Sequence, residues 1–278
     1  MIFCKFGQPL ITNILPQGGT MEQEQTTVQP AAPKETSTIS KLMNIFVAPG
    51  EVFESIKAAP KKSGLWAIPC LLAIVISIIF VFVVFSDPAI QSQMREMTEK
   101  QVESRIAQQN LPPEQAEAAR QQAASMMGGP MWKVFGIVGA IVYTIGTLLL
   151  VSLVLLLLSK TVFKAPTSYG KAMEIVGPSL MTNFVLGSIV SMLTILAMGS
   201  IHATPGLALA ISEFDPENKI HILLSSVNVF TIWYLVVLSI GLGKLAGVKI
   251  GRAAVWIFGI WVMWTLLTTF VLTFLRFG

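Results

Sequence analysis

Five stretches of the chain are almost wholly apolar and contain no Asp, Glu, Lys, Arg or His. A helix of about 20 such residues matches the hydrocarbon core of a bilayer, and it inserts without desolvating a charge. A membrane β-barrel would need strictly alternating polar and apolar positions, which this chain lacks. The pattern predicts an all-α integral membrane protein with five transmembrane helices, at residues 65–85, 134–158, 175–198, 222–242 and 253–275.

The composition agrees with this pattern. Hydrophobic residues make up 53% of the chain and charged residues 12%, whereas soluble proteins carry about 25% charged residues. The mean hydropathy is +0.69. These values exclude an ordinary cytosolic enzyme, a disordered chain and a coiled coil. With two cysteines in 278 residues, a disulfide-framed secreted domain is excluded as well.

The third predicted span contains Gly177 and Pro178 one turn inside its start, and Asn183 follows. Because proline lacks an N–H and clashes with the preceding turn, we expect a kink or a short interfacial helix here. The apolar run 184–198 is too short to cross alone, so we treat 175–198 as one broken span.

The segments outside the spans differ in character. Residues 1–40 are rich in Gln, Thr and Pro and predict a disordered cytoplasmic tail, with Met21 as a second hypothesis for the start of translation. Residues 86–130 predict two helices separated at Pro112 and Pro113, which form an external, solvated helical hairpin between spans one and two. Residues 63–278 are the predicted membrane domain.

Residues 41–62 predict an interfacial amphipathic segment. Ser40 is the expected helix N-cap, apolar residues recur at helical spacing, and lysines follow at the end. One interpretation is an anchor in the lipid headgroup layer, and the other is a docking surface for a cytoplasmic partner. The candidate residues for either role are Phe46, Pro49, Phe53, Lys61 and Lys62.

The distribution of basic residues predicts the orientation. With a cytoplasmic N-terminus, twelve Lys and Arg lie inside and seven lie outside, which favours N-in and C-out. The formal charge of +4 reflects this bias, and the chain has no clustered basic stripe. We therefore expect membrane lipids as partners and no nucleic acid.

Polar residues within the spans concentrate on the third and fourth helices. Pro178, Asn183, Asn228 and Trp233 are the candidates for intramembrane polar packing. Side chains of this kind bond neighbouring helices, and in a transporter they line a path. Both interpretations remain open from the sequence.

The chain carries none of the catalytic motifs that we sought: HExxH, GxSxG, a P-loop or CxxC. Its two histidines, His202 and His221, lie at the outer edges of spans three and four without a carboxylate pattern for metal binding. We therefore expect a protein that is not an enzyme and has no metal site and no cofactor.

Three segments, in this order, resemble bacterial proteins of the Yip1 domain family. They are residues 42–53, with Pro60 and Trp66 soon after; residues 168–172, leading to Pro178; and residues 228–233, leading to residues 241–243. The family's plan of five spans with a cytoplasmic N-terminus also matches. The Asp-Leu-Tyr-Gly-Pro signature of the eukaryotic relatives is not found in this sequence.

The resemblance implies a location in the bacterial cytoplasmic (inner) membrane and binding of protein partners. Together with the residues above, it favours a non-enzymatic membrane scaffold or adaptor, with an unidentified protein partner or a second copy of the chain. The alternative is a transporter or channel component for a small solute or lipid, which would use the polar groups of spans three and four.

Overall fold

The computed structural model describes residues 37–59, 64–128, 131–211, 214–215 and 218–277, without the side chains of 126–128, 131 and 271–277. Within these residues the chain forms helices and no β-strand, which confirms the predicted all-α fold. The helices are α1 (Thr38–Asn44), α2 (Pro49–Ala58), α3 (Ala67–Val84), α4 (Pro88–Gln109), α5 (Pro113–Gly128), α6 (Met131–Leu157), α7 (Tyr169–Leu180), α8 (Ser188–Met198), α9 (Lys219–Ser226), α10 (Val229–Ala246) and α11 (Ile250–Phe277).

Five helical stretches in the described part are long and apolar enough to cross a membrane, as predicted. They are Ala67–Val84, Trp132–Val162, Tyr169–Met198, Val229–Ala246 and Ile250–Phe270. Successive spans run in opposite directions. The bundle therefore has one end where α1 and α2 lie, called the α2 end, and one end where α4 and α5 join the first two spans, called the hairpin end.

The third span is helical from Tyr169 to Met198, but its hydrogen-bond register changes in the middle. Residues Met181–Gly187 form a π-helix between α7 and α8. Pro178, buried inside α7, has no N–H to donate to the preceding turn. The expected break is thus a local widening of the helix, which is common at functional sites.

The start of the fourth span corrects the prediction of residues 222–242. Residues 219–226 form the separate helix α9, and the span begins at Val229. Between them, the Leu207 N–H donates to the carbonyl of Val227 at 3.1 Å, and the Val229 N–H donates to the carbonyl of Pro205 at 3.3 Å. Residues 227 and 229 therefore form backbone hydrogen bonds with the loop at residues 205–207. The hydrophobic periodicity of the fourth span alone does not reveal this contact.

Helix α1 also begins earlier than expected. Its N-cap is Ser37, whose hydroxyl accepts a hydrogen bond from the Ser40 N–H at 3.2 Å. Ser40 lies one turn inside the helix, because Ser37 meets the same capping requirement first. The last residues of the predicted disordered tail therefore belong to α1, whereas residues 1–36 lie outside the described residues.

The segment between spans one and two forms two helices, as predicted. Asp87 caps α4 by accepting from the N–H groups of Ala89 and Ile90, and Asn110 ends it in the left-handed conformation. Arg120 of α5 bonds both carboxylate oxygens of Glu103 on α4, at 2.7 and 3.0 Å. This bidentate pair joins the two helices of the hairpin.

Candidate functional site

The apolar side of helix α2 is buried against the helical bundle. Pro49 and Phe53, two of the predicted interfacial residues, are buried, and Phe46 is half-buried against the same core. Helix α2 packs on α7 and α10, because its apolar residues join the same buried core as theirs. The remaining predicted residues, Lys61 and Lys62, lie outside the described residues.

A lysine on α7 caps the C-terminal end of α2. The Lys171 ammonium donates to the carbonyls of Ile56 at 2.5 Å and Ala59 at 2.7 Å. It also lies 3.6 Å from the buried carboxylate of Glu174. Carbonyls at a helix C-terminus lack intrahelical donors and carry partial negative charge, so a cation there satisfies both needs. Sequence reasoning missed this role, although the i, i+3 spacing of Lys171 and Glu174 was a signal.

A second cross-connection joins α2 to the fourth span. The Lys244 ammonium lies 2.7 Å from the Glu54 carboxylate. This hydrogen bond, helped by the charge of Lys244, holds the pKa of Glu54 below its ordinary value. The pair is exposed, so it contributes to the orientation of α2 more than to overall stability.

Three apolar side chains of α1 and the turn after it are exposed. Leu42 and Ile45 point into the core, whereas Ile39, Met43 and Val47 are 74%, 62% and 86% exposed. These three residues, spaced four apart along α1 and the turn after it, are called the α1 stripe. A row of apolar residues at helical spacing on an exposed surface is typical of a contact site.

A polar cleft lies beside the π-helix of the third span, toward the hairpin end. It has a volume of about 310 Å³ and is bounded by the first, second and third spans. Its polar lining consists of Ser77, Tyr143, Asn183, Ser188, Ser191 and Thr204. Its apolar walls are Phe80, Phe184, Ile195 and Ile201.

The polar side chains of the cleft differ from other hydroxyls of the spans. Thr144, Ser179 and Ser239 each donate to a carbonyl one turn earlier in their own helix, at 2.9, 2.7 and 2.7 Å. In the described part of the chain, none of the six cleft side chains makes a hydrogen bond to another protein group. They therefore present free donors and acceptors to whatever enters the cleft.

The structure separates the four residues predicted for intramembrane polar packing. Asn183 lines the cleft, and Pro178 is buried one turn before the π-helix. Asn228 instead caps α10, where its side chain accepts from the Phe230 N–H at 2.8 Å. Trp233 is partly exposed on the next turn. Tyr143, which the sequence analysis did not single out, lines the cleft beside Asn183.

The two histidines lie at the hairpin end, His202 in the loop after the third span and His221 in α9. His202 stacks on Phe214 with ring centroids 4.2 Å apart, and the Asp215 N–H donates to His221 Nδ1 at 3.0 Å. Partial burial lowers the pKa of His202. Among the described residues, no group of three His, Cys, Asp or Glu side chains is placed to hold a metal ion.

The fold and these sites define a multi-pass, all-helical membrane protein with a docked amphipathic helix and a polar intramembrane cleft. Residues 43–272 match the Yip1 domain family. The chain belongs to that family, as the resemblance of its motifs predicted. Comparisons with curated proteins and with solved structures give no match.

Proposed function

We propose that this Yip1 protein is a non-enzymatic membrane scaffold or adaptor, which recruits a protein partner through the α1 stripe. The observation that carries the proposal is the exposure of Ile39 and Met43 on α1 and of Val47 in the turn after it, while Leu42 and Ile45 between them are buried in the core. Apolar residues that recur about one helical turn apart on an exposed surface are typical of a segment that fits the groove of another protein.

The packing of α2 supports this role. Helix α2 is held by its buried apolar side and by Lys171, and Leu42 and Ile45 hold the α1 segment to the same core, so the α1 stripe has a defined place on the bundle. A binding surface that is ordered before the partner arrives loses less conformational entropy on association. The arrangement favours a docking surface for a protein partner over an anchor in the lipid headgroup layer.

We assign the α2 end to the cytoplasm of a bacterium and the hairpin end to the outside of its inner membrane. The excess of basic residues at the α2 end supports this orientation. In this orientation the α1 stripe faces cytoplasmic proteins and the headgroups of the inner leaflet.

The test is site-specific photocrosslinking in native membranes, with the reactive residue placed at 39, 43 or 47 in turn. The adaptor role predicts one and the same protein at all three positions, and its loss in the variant Ile39→Ser, Met43→Ser, Val47→Ser. A reactive residue at Gln108 on the hairpin is the matched exposed control. Crosslinks to lipid alone would contradict the proposal, and crosslinks to a second copy would make the partner the protein itself.

A second candidate function, a transporter or channel component for a small solute or lipid, is favoured by the polar cleft. Its test is solute flux in proteoliposomes, which Asn183→Leu should abolish while the protein stays folded. Thr268→Val is the control, because Thr268 bonds the carbonyl of Trp264 in its own helix at 2.9 Å and lies away from the cleft. Asn228→Leu is unsuitable, since it removes the cap of α10.

A further inference from the structure

We propose that the cleft beside Asn183 binds the uncharged, hydrogen-bonding head of an amphiphile, whose chain lies against Phe80, Phe184 and Ile195. This inference is independent of the adaptor role, since the α1 stripe and the cleft lie at opposite ends of the bundle. It begins with the six polar side chains of the cleft, none of which makes a hydrogen bond to another protein group within the described chain. In a hydrocarbon environment each such group is unfavourable unless it finds a partner.

The position of Tyr143 shows how a ligand reaches the cleft. Tyr143 lies near the middle of the Trp132–Val162 span, yet its side chain is 67% exposed. Tyrosine in membrane proteins is enriched at the headgroup level, where its hydroxyl meets water. The Tyr143 ring stacks on Phe184 with ring centroids 5.7 Å apart. An exposed side chain at this depth faces the acyl chains, so the cleft has a side open to the bilayer and admits a molecule that already resides there.

The lining determines the charge of the ligand. It contains hydroxyl and amide groups and no Asp, Glu, Lys, Arg or His side chain. A phosphate or ammonium group at this depth would have no counter-charge, and its desolvation would oppose binding. An uncharged hydroxyl group loses much less hydration and finds both donors and acceptors, because hydroxyls and the Asn183 amide offer both.

The π-helix and Gly187 give the cleft its shape. A side chain at Gly187 would begin 2.9 Å from Phe230 Cβ and 3.1 Å from Asn183 Oδ1. The glycine therefore lets α10 approach from one side while the Asn183 amide remains beside it. The cleft has a volume of about 310 Å³ and is open on one side. A glycerol-sized head with the first part of an acyl chain fits this space.

The experiment uses the full-length protein in nanodiscs that contain a diacylglycerol with a photoactivatable group on one acyl chain. Phosphatidylglycerol with the same chain is the charged comparison. We expect saturable labelling by diacylglycerol, located in α3 or α8, and at least five-fold weaker labelling by phosphatidylglycerol. The double variant Tyr143→Phe, Asn183→Leu should reduce diacylglycerol labelling at least five-fold, whereas Thr268→Val should leave it unchanged.

A second variant protects the test against misfolding. Ser188→Ala with Ser191→Ala removes two cleft hydroxyls that bond no protein group, so the fold should survive, and labelling should fall at least three-fold. Equal labelling by the charged lipid, or labelling unchanged in both cleft variants, would overturn the proposal. Protection of the cleft by free glycerol without labelling by diacylglycerol would assign the site to a soluble polyol and would also overturn it.

Discussion

The ring of Phe53 lies against the backbone of Gly241, so that a methyl group at Gly241 would stand 3.2 Å from the Cε2 atom of Phe53. The same methyl group would overlap Cγ2 of Ile175. Glycine in the fourth span is therefore what allows α2 and α7 to meet α10. The docking of α2 depends on this absence of a side chain.

The substitution Gly241→Ala should weaken the docking of α2. Overpacking a tight contact of this kind destabilises by about 1–3 kcal/mol, because the neighbours must leave their preferred rotamers. We expect a lower thermal unfolding temperature in detergent and faster hydrogen exchange in α1 and α2. Gly259→Ala is the matched control, since nothing lies within 4 Å of its added methyl group. Equal effects of both variants would refute the close contact.

The substitution Lys171→Met should release the C-terminal end of α2. It removes the donor to the Ile56 and Ala59 carbonyls and the ion-pair contact with the buried carboxylate of Glu174. Loss of one member of a buried ion pair is destabilising by about 3–5 kcal/mol. Limited proteolysis within α2 is the measurement. Lys100→Met is the control, because its partner Glu96 is exposed, and cleavage equal to that of Lys171→Met would contradict this role.

The hairpin should loosen at low pH. The Arg120 hydrogen bond holds the pKa of Glu103 below the ordinary carboxyl value of 4.5. Because the folded-state pKa is lowered, the pair stabilises the hairpin above pH 4.5 and this contribution is lost as the pH falls through the folded-state pKa. The distribution of distances between spin labels at residues 99 and 124 should therefore broaden under acidic conditions.

In the Arg120→Met variant the same distance distribution should be broad already at neutral pH, and its width should respond less to acid. A distance distribution that narrows on acidification, or a pH response of equal size in Arg120→Met, would exclude this ion pair as the cause. Both groups are exposed, so the effect is confined to the hairpin and should not lower the stability of the bundle.

Cysteine labelling tests the orientation of the spans. With the α2 end in the cytoplasm, an impermeant maleimide should label Gln108→Cys in intact cells and Gly170→Cys only after permeabilisation. Both positions are exposed, and an added Cβ at Gly170 meets nothing within 4 Å. Labelling of Gly170→Cys from outside would reverse the orientation and would contradict recruitment of a cytoplasmic partner through α1.

Much of the architecture could be predicted from local features of the sequence. Uncharged apolar runs of sufficient length required membrane-spanning helices, and the Pro112–Pro113 pair marked the division of the hairpin. The fourth span shows the limit of this reasoning. The apolar residues before Val229 continue the hydropathy signal, but Asn228 caps the helix and Val227 pairs with a distant loop.

The candidate sites could be predicted only in part. Asn183 was identified as a polar residue in a span, and the structure places it in the cleft. Tyr143 and Ser77 were missed because each is an ordinary residue within its own helix, and only the approach of three spans makes them neighbours. Phe53 was placed on the apolar side of a predicted amphipathic segment, but the sequence did not reveal whether lipid or protein covers that side.

The sequence by itself determined the class of this protein, its five spans and its membership of the Yip1 family, because hydropathy and short motifs are properties of contiguous residues. The tertiary structure decided which surfaces are available. It buried the apolar side of α2 against α7 and α10, exposed the α1 stripe, and assembled the polar cleft at the π-helix. These outcomes depend on contacts between residues far apart in the chain, where close packing, and not local propensity, selects the partner of each side chain.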